Sequence, residues 1–348
     1  MIEIMTEKEK EFKKYLEARN FNTKWKKIKY IFSLYDKHPT TTSMSELNKV
    51  IVENNIDIFL HIGEPELFDY NEKLKCKSFY IYPCHTNIYP EHLITKLKIW
   101  DKVIALCPTV CIDMKRNNIK SSVIPHVIDI KFGNRNKKEL RKKYNLPTTG
   151  FVILFNAGNY EVSNRKSVDS FFHIIHKYKH KYDKNIKVLY HTGFRGDQNT
   201  TLNDMSIITN LNLQDNIVCS MKHIPPQNII EFYFTCDVFV LPSKAEGFCL
   251  PMAEAQYCGM PVITNEFGPM RDYNINGICV KSDILHFNSS MDNYWTYPNI
   301  DGFVEAINEV RNWDTYTKMS KSIQGNEFIK SYMSLNSVKK KINDIINY

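Results

Sequence analysis

The sequence predicts an α/β fold in which two doubly wound domains with parallel sheets face each other across a cleft. The chain has 348 residues, about twice the length of an average domain. Short apolar runs alternate with amphipathic stretches of helical period, as expected for parallel strands covered by helices. The alternation is interrupted at 131–150, a polar, highly charged stretch that ends near Pro147 and Gly150. We therefore expect two domains with a boundary at residue 133.

The first predicted domain covers residues 1–133 and is short for a doubly wound unit. Its predicted strands are Lys27–Tyr35, Ile56–Gly63, Lys77–Pro83, Lys102–Pro108 and Ser121–Asp129. Its predicted helices are Ser43–Asn55, Pro90–Trp100 and Val110–Asn118. Ser43 or Ser45 can cap the first of these helices, because a serine hydroxyl accepts a hydrogen bond from a free N–H group at a helix start.

The second predicted domain covers residues 134–325, and its first strand is strongly apolar. Its predicted strands are Phe151–Gly158, Ile186–Gly193, Asn216–Ser220, Asp237–Ser243, a run that ends at Thr264, and Gly277–Val280. Its predicted helices are Ser167–Tyr182, Leu202–Leu211, Pro225–Cys236, Leu250–Tyr257 and Gly302–Trp313. The remaining residues, 326–348, contain an amphipathic helix, Leu335–Tyr348, that can cross back to the first domain.

The composition is that of a globular protein in a reducing compartment. Apolar residues make up 43% of the chain and aromatic residues 13%, but no run approaches the roughly 20 apolar residues that span a bilayer. The charged N-terminus lacks the apolar core of a signal peptide. The nine cysteines form no CxxC pair, and Cys107 and Cys111 have no second pair nearby to complete a metal site. We therefore expect a cytoplasmic protein with free thiols and no bound metal.

The net charge of +8 is spread along the chain, apart from two basic stretches, Lys24–Lys29 and Arg135–Tyr144. A solvated helix face is the simplest interpretation of both stretches. Contact with an anionic ligand or with a membrane surface is the alternative. Nucleic acid is not expected as a partner, because no pattern of aromatic residues and glycines accompanies the charge.

Two glutamates mark the most informative stretch, VFVLPSKAEGFCLPMAEAQYCGMPVIT at Val238–Thr264. Glu246 comes just after a predicted strand, where ligands of open α/β sheets bind. Gly247 permits a tight turn, Pro251 suits the first turn of a helix, and Gly259 can end that helix.

The start of this helix predicts an anion site. Its first free N–H groups, in residues 248–252, and its dipole can bind a diphosphate. Glu254 comes one turn later, at the expected exposed mouth of the site. Carboxylates accept hydrogen bonds from vicinal hydroxyls, so Glu246 and Glu254 on either side of a diphosphate suit a nucleoside diphosphate sugar. The alternative is an ordinary surface helix with acidic residues near its start.

Cations are predicted at the same sheet edge. The strand Phe151–Gly158 ends at Gly158, and Asn164, Arg165 and Lys166 come just before the next helix. Arg165 and Lys166 can neutralise a departing diphosphate. Their interpretation as solvated charges is less favoured, because cations destabilise a helix N-terminus unless an anion is present.

These residues carry a resemblance. The block Asp237–Thr264 resembles the donor-site signature, with its E-x7-E motif, of the retaining glycosyltransferases of the GT-B fold, the "glycosyl transferases group 1" family. The segment LPSKAEGFCLPMAEAQYCGMPVIT matches that signature nearly position for position, and similarity extends over most of residues 80–280. The resemblance implies two Rossmann-like domains, an acceptor-side domain followed by a nucleotide-sugar donor domain, with the site in the cleft between them.

The resemblance also implies roles for single residues. Glu254 would bind the ribose hydroxyls, and Glu246 would contact hydroxyls of the transferred sugar. Lys166 and Arg165 would stabilise the departing diphosphate. The phosphate-binding backbone would belong to Gly247, Phe248, Cys249 and Leu250.

Two further assignments follow from the resemblance. His85, in the segment YPCHTN, would be a catalytic histidine near the anomeric carbon and the acceptor, with His61 as its rival. Ile224 lies in the segment Lys222–Ile224, where we expect the nucleotide base to be selected.

The chain departs from the family pattern at several positions. Asn159 follows Gly158 where the family has an arginine, and Ser167 follows Lys166 where the family has a glycine. The loop after Tyr35 reads DKHPTTTSMS and has no counterpart of the family's glycine-rich loop. These departures concern both sides of the expected cleft. The loop after Tyr35 leaves the acceptor side undefined.

We therefore predict a metal-independent, retaining transfer of a sugar from a UDP- or GDP-linked donor to a hydroxyl of a glycan, protein or lipid. No Asp-x-Asp motif, which holds a divalent ion in the other major glycosyltransferase fold, is present in the sequence. A sugar-nucleotide hydrolase or epimerase is one alternative. An inactive module that binds nucleotide, glycan or a partner enzyme is the other.

Overall fold

The computed structural model describes residues 43–63, 68–83, 91–158, 164–192, 199–220, 224–282, 284–288 and 293–346, and every structural statement below refers to them. The predicted strand Lys27–Tyr35 and the candidate His85 lie outside the described residues. Two parallel sheets dominate the architecture, one in each half of the chain.

The first sheet has four parallel strands in the order β1-β2-β3-β4. The strands are β1 (Ile58–Ile62), β2 (Lys77–Tyr82), β3 (Lys102–Ala105) and β4 (Ser121–Val123). The helices of this half are α1 (Met44–Glu53), α2 (Glu91–Lys98) and α3 (Pro108–Arg116). The predicted strand Ser121–Asp129 is too long, because Pro125 has no N–H group to donate to a neighbouring strand.

The second sheet has six parallel strands in the order β10-β9-β8-β5-β6-β7. They are β5 (Val152–Asn156), β6 (Lys187–His191), β7 (Ile217–Ser220), β8 (Val238–Leu241), β9 (Val262–Asn265) and β10 (Ile278–Val280). The first strand of this sheet along the chain is β5. Strands β6 and β7 lie on one side of it, and β8, β9 and β10 lie on the other side. The order therefore reverses between β5 and β8, and ligands of doubly wound sheets bind at such a switch point.

Helices cover both faces of the second sheet, and its central strands are therefore buried. Every residue of β5, β8 and β9 is buried, as expected for a parallel sheet between two helix layers. The helices of this half are α4 (Lys137–Lys143), α5 (Val168–Lys181), α6 (Asn199–Asn210), α7 (Pro226–Thr235), α8 (Leu250–Tyr257), α9 (Pro269–Tyr273), α10 (Ile300–Asn312), α11 (Thr315–Tyr332) and α12 (Leu335–Ile346). Helix α5 packs against α10, and α8 packs against α11.

Several elements escape the sequence prediction. Helix α4 lies within the charged stretch expected to be a break, and α9 and the long α11 were not predicted either. An antiparallel hairpin of β11 (Leu285–Asn288) and β12 (Asn293–Thr296) follows β10. Helix α11 has only two buried residues, Gly325 and Ile329, so its sequence shows no apolar stripe.

Arg141 explains why the charged stretch 131–150 folds into a helix. Its side chain is 2% exposed and donates to the carbonyls of Thr235 (3.0 Å) and Gly150 (2.9 Å). It also pairs with the Asp237 carboxylate at 2.6 Å. Asp237 in turn accepts a 2.7 Å hydrogen bond from the backbone N–H of Val152, the first residue of β5. Arg141 therefore fastens α4 to the start of the second sheet.

Replacing Arg141 with methionine is expected to lower the free energy of unfolding by about 2–3 kcal/mol, because buried carbonyls and a carboxylate lose their donor. Urea unfolding measures the change. Lys142→Met, on the exposed side of the same helix, removes one positive charge and serves as the control, with an expected change of about 0.5 kcal/mol or less. Equal stability of the two variants would contradict the structural role of Arg141.

The two halves of the chain contact each other through both backbone and side chains. The Asp272 carboxylate, in α9, accepts hydrogen bonds from the Thr109 N–H (2.7 Å) and hydroxyl (2.5 Å) and so caps the start of α3. The Tyr273 hydroxyl donates to the Leu106 carbonyl at 2.7 Å. The domain boundary at residue 133 stays a prediction.

The last helix, α12, lies against the first sheet. Its Val338 and Ile345 form a small buried cluster with Phe79 of β2, Ile104 of β3 and Ile124 just after β4. The backbone also crosses between the halves, because the Ile128 N–H donates to the Met333 carbonyl at 2.9 Å. The C-terminal residues thus cover a sheet built from residues far earlier in the chain.

Candidate active site

The candidate site lies at the switch point of the second sheet, where the loops after β5 and β8 meet. The loop after β8 is buried from Pro242 to Cys249, whereas Leu250, the first residue of α8, is 42% exposed. Gly158 lies two residues beyond the end of β5. The site therefore has a buried floor made by one loop and an opening at the start of α8.

Glu246 lies at the centre of this floor, and its side chain contacts two other predicted residues, Lys166 and Arg165. Its side chain is 5% exposed, and its carboxylate contacts Lys166 Nζ at 2.5 Å and Arg165 Nη1 at 3.2 Å. Arg165 Nη1 also donates to the Ala245 carbonyl at 3.0 Å. Burial raises the pKa of Glu246, but the charges of Lys166 and Arg165 outweigh burial and hold that pKa at about 2. Glu246 is therefore ionised at neutral pH.

The loop before α5 is held in place by its own polar groups. The Asn164 side chain accepts a 3.0 Å hydrogen bond from the Val168 N–H and donates to Asp169 at 2.5 Å. Asn164, a predicted donor-binding residue, therefore uses its side chain to stabilise the helix start. The Ser243 hydroxyl and the Lys244 N–H both donate to the Arg165 carbonyl, at 3.1 and 2.8 Å. The cations thus project from a fixed backbone.

Three described residues of the site adopt left-handed backbone conformations, and one of them is Asn164, with φ of 50°. Cys249, just before α8, has φ of 71°, and Ser167, just before α5, has φ of 51°. The sequence pointed to Gly247 as the residue that permits the turn, but the left-handed residue of this loop is Cys249. Such conformations are uncommon for residues with a side chain and cluster at functional sites.

Helix α8 begins at the position predicted for the anion site. It begins at Leu250 and ends at Tyr257, as the sequence predicts, and Cys249 offers no side-chain cap. The first four N–H groups of a helix have no partner within the helix. Gly259 follows the helix with φ of 78°, which is the left-handed ending expected of a glycine.

Glu254 lies one turn into α8, beside Tyr233. The Tyr233 hydroxyl donates to Glu254 Oε2 at 2.8 Å and accepts a 2.9 Å hydrogen bond from the Asn156 amide at the end of β5. Glu254 is partly buried, so the expectation that it lies at an exposed mouth is wrong. Burial raises the pKa of Glu254, and the Tyr233 hydroxyl opposes that rise. The carboxylate is thus oriented by a tyrosine, which the sequence alone does not indicate.

A histidine from the first half of the chain reaches this loop. The ring of His126, three residues beyond β4, meets the ring of Phe248 edge-on at 4.8 Å between centroids. Phe248 also contacts Tyr273 at 5.4 Å. Sequence reasoning missed His126, although it follows a strand end, which was the signal used for His61 and His85.

His61 belongs to an aromatic cluster of the first sheet. Its ring contacts Phe68, Tyr80 and Trp100 at centroid distances of 4.7, 5.2 and 6.0 Å. Burial lowers the pKa of His61 to about 4, so it is neutral at pH 7. Tyr80 and Trp100 are themselves buried. These contacts favour a packing role for His61.

Other features of the described residues bear on the predictions. Ile224 is partly buried and packs against the main apolar core just before α7. No group of three or more His, Cys, Asp or Glu side chains with metal-binding geometry occurs in the described ranges. None of the helices in these ranges has the length and apolar character needed to cross a membrane.

A family model described as "Glycosyl transferases group 1" matches residues 136–323, just over half of the 348-residue chain. The match starts immediately before α4 and ends within α11, so it includes the whole second sheet and every described residue predicted to bind the donor. No curated protein matches the chain significantly.

Solved structures of the same architecture cover most of the chain. Sucrose-phosphate synthase from Thermosynechococcus elongatus has a TM-score of 0.68 and 14% identity, covering 87% of this chain and 76% of that one. A glycosyltransferase from Rickettsia africae has a TM-score of 0.66 and 17% identity, covering 87% and 79%. Anabaena HepE in complex with UDP has a TM-score of 0.66 and 15% identity, covering 87% and 81%. At these identities the likeness shows the fold alone.

Proposed function

Because this chain belongs to the glycosyl transferases group 1 family and has the GT-B fold, we propose that it is a retaining, metal-independent glycosyltransferase. It transfers a sugar from a nucleoside diphosphate donor to a hydroxyl of an acceptor. The observation that carries the proposal is the cluster of Glu246, Arg165 and Lys166 at the switch point of the second sheet, next to the uncapped start of α8.

In this proposal the site binds the donor by its two ends. The diphosphate lies at the free N–H groups of α8, where the helix dipole favours an anion. Arg165 and Lys166 hold the charge that develops on the diphosphate when its bond to the anomeric carbon breaks, the role that a divalent ion has in other transferases. Glu254, oriented by Tyr233, accepts hydrogen bonds from the ribose hydroxyls.

Glu246 has a different role from a proton donor. With a pKa of about 2, its carboxyl group is ionised throughout the neutral range and can only accept hydrogen bonds. We propose that it accepts hydrogen bonds from hydroxyls of the transferred sugar while Lys166 and Arg165 hold it in place. By resemblance to the family, we also propose that His85 lies near the anomeric carbon and the acceptor.

A uridine nucleotide is the donor we test first. Anabaena HepE, with the same fold, is described in complex with UDP and with UDP and glucose. A Staphylococcus aureus TarM mutant is described with UDP and α-GlcNAc-glycerol. These descriptions belong to those proteins, and they support a UDP-linked donor and a glycan-type acceptor here, with GDP as the alternative nucleotide.

Glu254→Ala tests the donor site directly. A ligand that binds only the folded protein raises its melting temperature, so we expect one of UDP, GDP and ADP to stabilise the wild type. The variant should bind that nucleotide about 10- to 100-fold more weakly, because a hydrogen bond to a charged group contributes roughly 1.5–3 kcal/mol. The change in melting temperature over a nucleotide titration measures the affinity of the wild type and of the variant.

Glu309→Ala is the control, because Glu309 is exposed on α10 and its loss should leave binding unchanged. Stabilisation of both variants to the same extent as the wild type would contradict the assignment of Glu254. Absence of any nucleotide effect on the wild type would contradict the proposed function itself and favour an inactive module.

A further inference from the structure

A buried lysine lies in the loop that carries Glu246. Lys244 is two residues before Glu246, and its 8% exposure makes it the least exposed of the described lysines. Its backbone is fixed on both sides, because its N–H donates to the Arg165 carbonyl (2.8 Å) and its carbonyl accepts from the Thr296 N–H (3.1 Å). The side chain therefore lies between the loop after β8 and the end of the β11–β12 hairpin.

The ammonium group of Lys244 has no hydrogen-bond or ion-pair partner in the described part of the chain. It lies over the face of the Tyr297 ring, 4.9 Å from Nζ to the centroid. Burial lowers the pKa of Lys244, and the charge of Asp169 at the start of α5 opposes that effect. The other buried cation of this half, Arg141, donates to three carbonyls and a carboxylate. Lys244 therefore differs from a structural cation.

Burying a cation without a partner lowers stability, and groups whose pKa is shifted by burial cluster at functional sites. The neighbouring cations are already compensated in part, because Glu246 pairs with both Arg165 and Lys166. These three side chains together carry one positive charge, whereas a nucleoside diphosphate carries at least two negative charges. One further cation at this sheet edge would bring the positive charge of the site closer to balancing the negative charge of its proposed ligand.

We propose that Lys244 is an anion-binding residue of the donor site. The Tyr297 ring holds its ammonium group in place, and the ammonium binds a negatively charged group of the nucleotide sugar. The inference rests on the proposed function. Two groups of a donor have the required chemistry, the diphosphate that all such donors share and the carboxylate of an acidic sugar such as a uronic acid.

Lys244→Met tests the proposal, because methionine replaces the apolar stem of lysine and removes the charge. Isothermal titration with uridine, UMP, UDP, UDP-glucose and UDP-glucuronic acid gives the affinity for each group in turn. We expect the variant to bind at least one anionic ligand 10-fold or more weakly than the wild type, with unchanged affinity for uridine. A loss that starts with UMP or UDP assigns the phosphates, and a loss confined to UDP-glucuronic acid assigns the sugar carboxylate.

A stability measurement separates binding from packing. Without ligand, Lys244→Met should be at least as stable as the wild type, because burial disfavours the charged form of Lys244. Lys244→Gln provides a second uncharged variant should the methionine disturb the fold, and Lys244→Arg should retain binding within about threefold. Lys184→Met, at an exposed lysine, is the control for the loss of one positive charge.

Wild-type affinity for all five ligands in both uncharged variants would overturn the proposal. So would a loss that is equal for uridine and for the charged ligands, or a loss of stability without ligand and no change in binding. If the wild type binds none of these uridine ligands, the same titration is made with GDP and GDP-mannose. Failure of the wild type to bind either series would count against the proposed function, so the two failures are distinguishable.

Discussion

Glu246→Gln is expected to lower the free energy of unfolding by about 3–5 kcal/mol at pH 7, because it leaves Lys166 and Arg165 in a buried site without their carboxylate. It is also expected to lower kcat/KM for sugar transfer by about 100-fold or more, since the amide is a weaker acceptor for sugar hydroxyls. Saturating UDP should restore part of the stability, because the diphosphate supplies the missing negative charge. Urea unfolding with and without UDP measures these effects.

The pH dependence of this stability difference has a defined sign. The folded-state pKa of Glu246, about 2, lies below its ordinary value of 4.5. The ion pairs therefore contribute their full stability above about pH 4.5, and the contribution is lost as the pH falls towards 2. The gap between wild type and Glu246→Gln should be largest above pH 5 and close as the carboxyl of the wild type is protonated. A gap that stays constant down to pH 2, or equal stability at pH 7, would contradict the ion-pair cluster.

Lys166→Met is expected to lower kcat/KM by about 10²- to 10³-fold, the usual cost of removing one group that stabilises charge in a transition state. The reason is that Arg165 alone would face both Glu246 and the departing diphosphate. A coupled assay that detects released nucleoside diphosphate gives the rate, and Lys138→Met, at an exposed lysine of α4, controls for net charge. A rate within fivefold of the wild type would exclude Lys166 from the reaction.

The sequence predicts the central elements of the fold well because they follow simple rules. Strands β5, β8 and β9 are apolar throughout, as buried parallel strands are, and α8 is bounded by Pro251 and Gly259. Helix α11 escapes prediction because few of its residues are buried and they form no apolar stripe. A Cβ on Gly325 would lie only 2.5 Å from the side-chain nitrogen of Asn276, a close approach that no periodicity reveals.

The candidate site is predictable only where its residues lie just after a strand end or next to the start of a helix. Glu246, Arg165 and Lys166 meet that condition, and the structure brings their charges together. The environment of each residue depends on neighbours that are distant in sequence. Glu254 is oriented by Tyr233 from α7, and Lys244 lies under Tyr297 from a hairpin that the sequence did not indicate.

The position of α12 has a consequence for the order in which the chain can fold during its synthesis. Phe79 and Ile104 belong to strands that leave the ribosome early, but Val338 and Ile345, which cover them, emerge more than 230 residues after Ile104. Until then this apolar patch of the first sheet is exposed to solvent and to chaperones. The half of the protein that is translated first therefore cannot finish its core until residues 335–346 have been made.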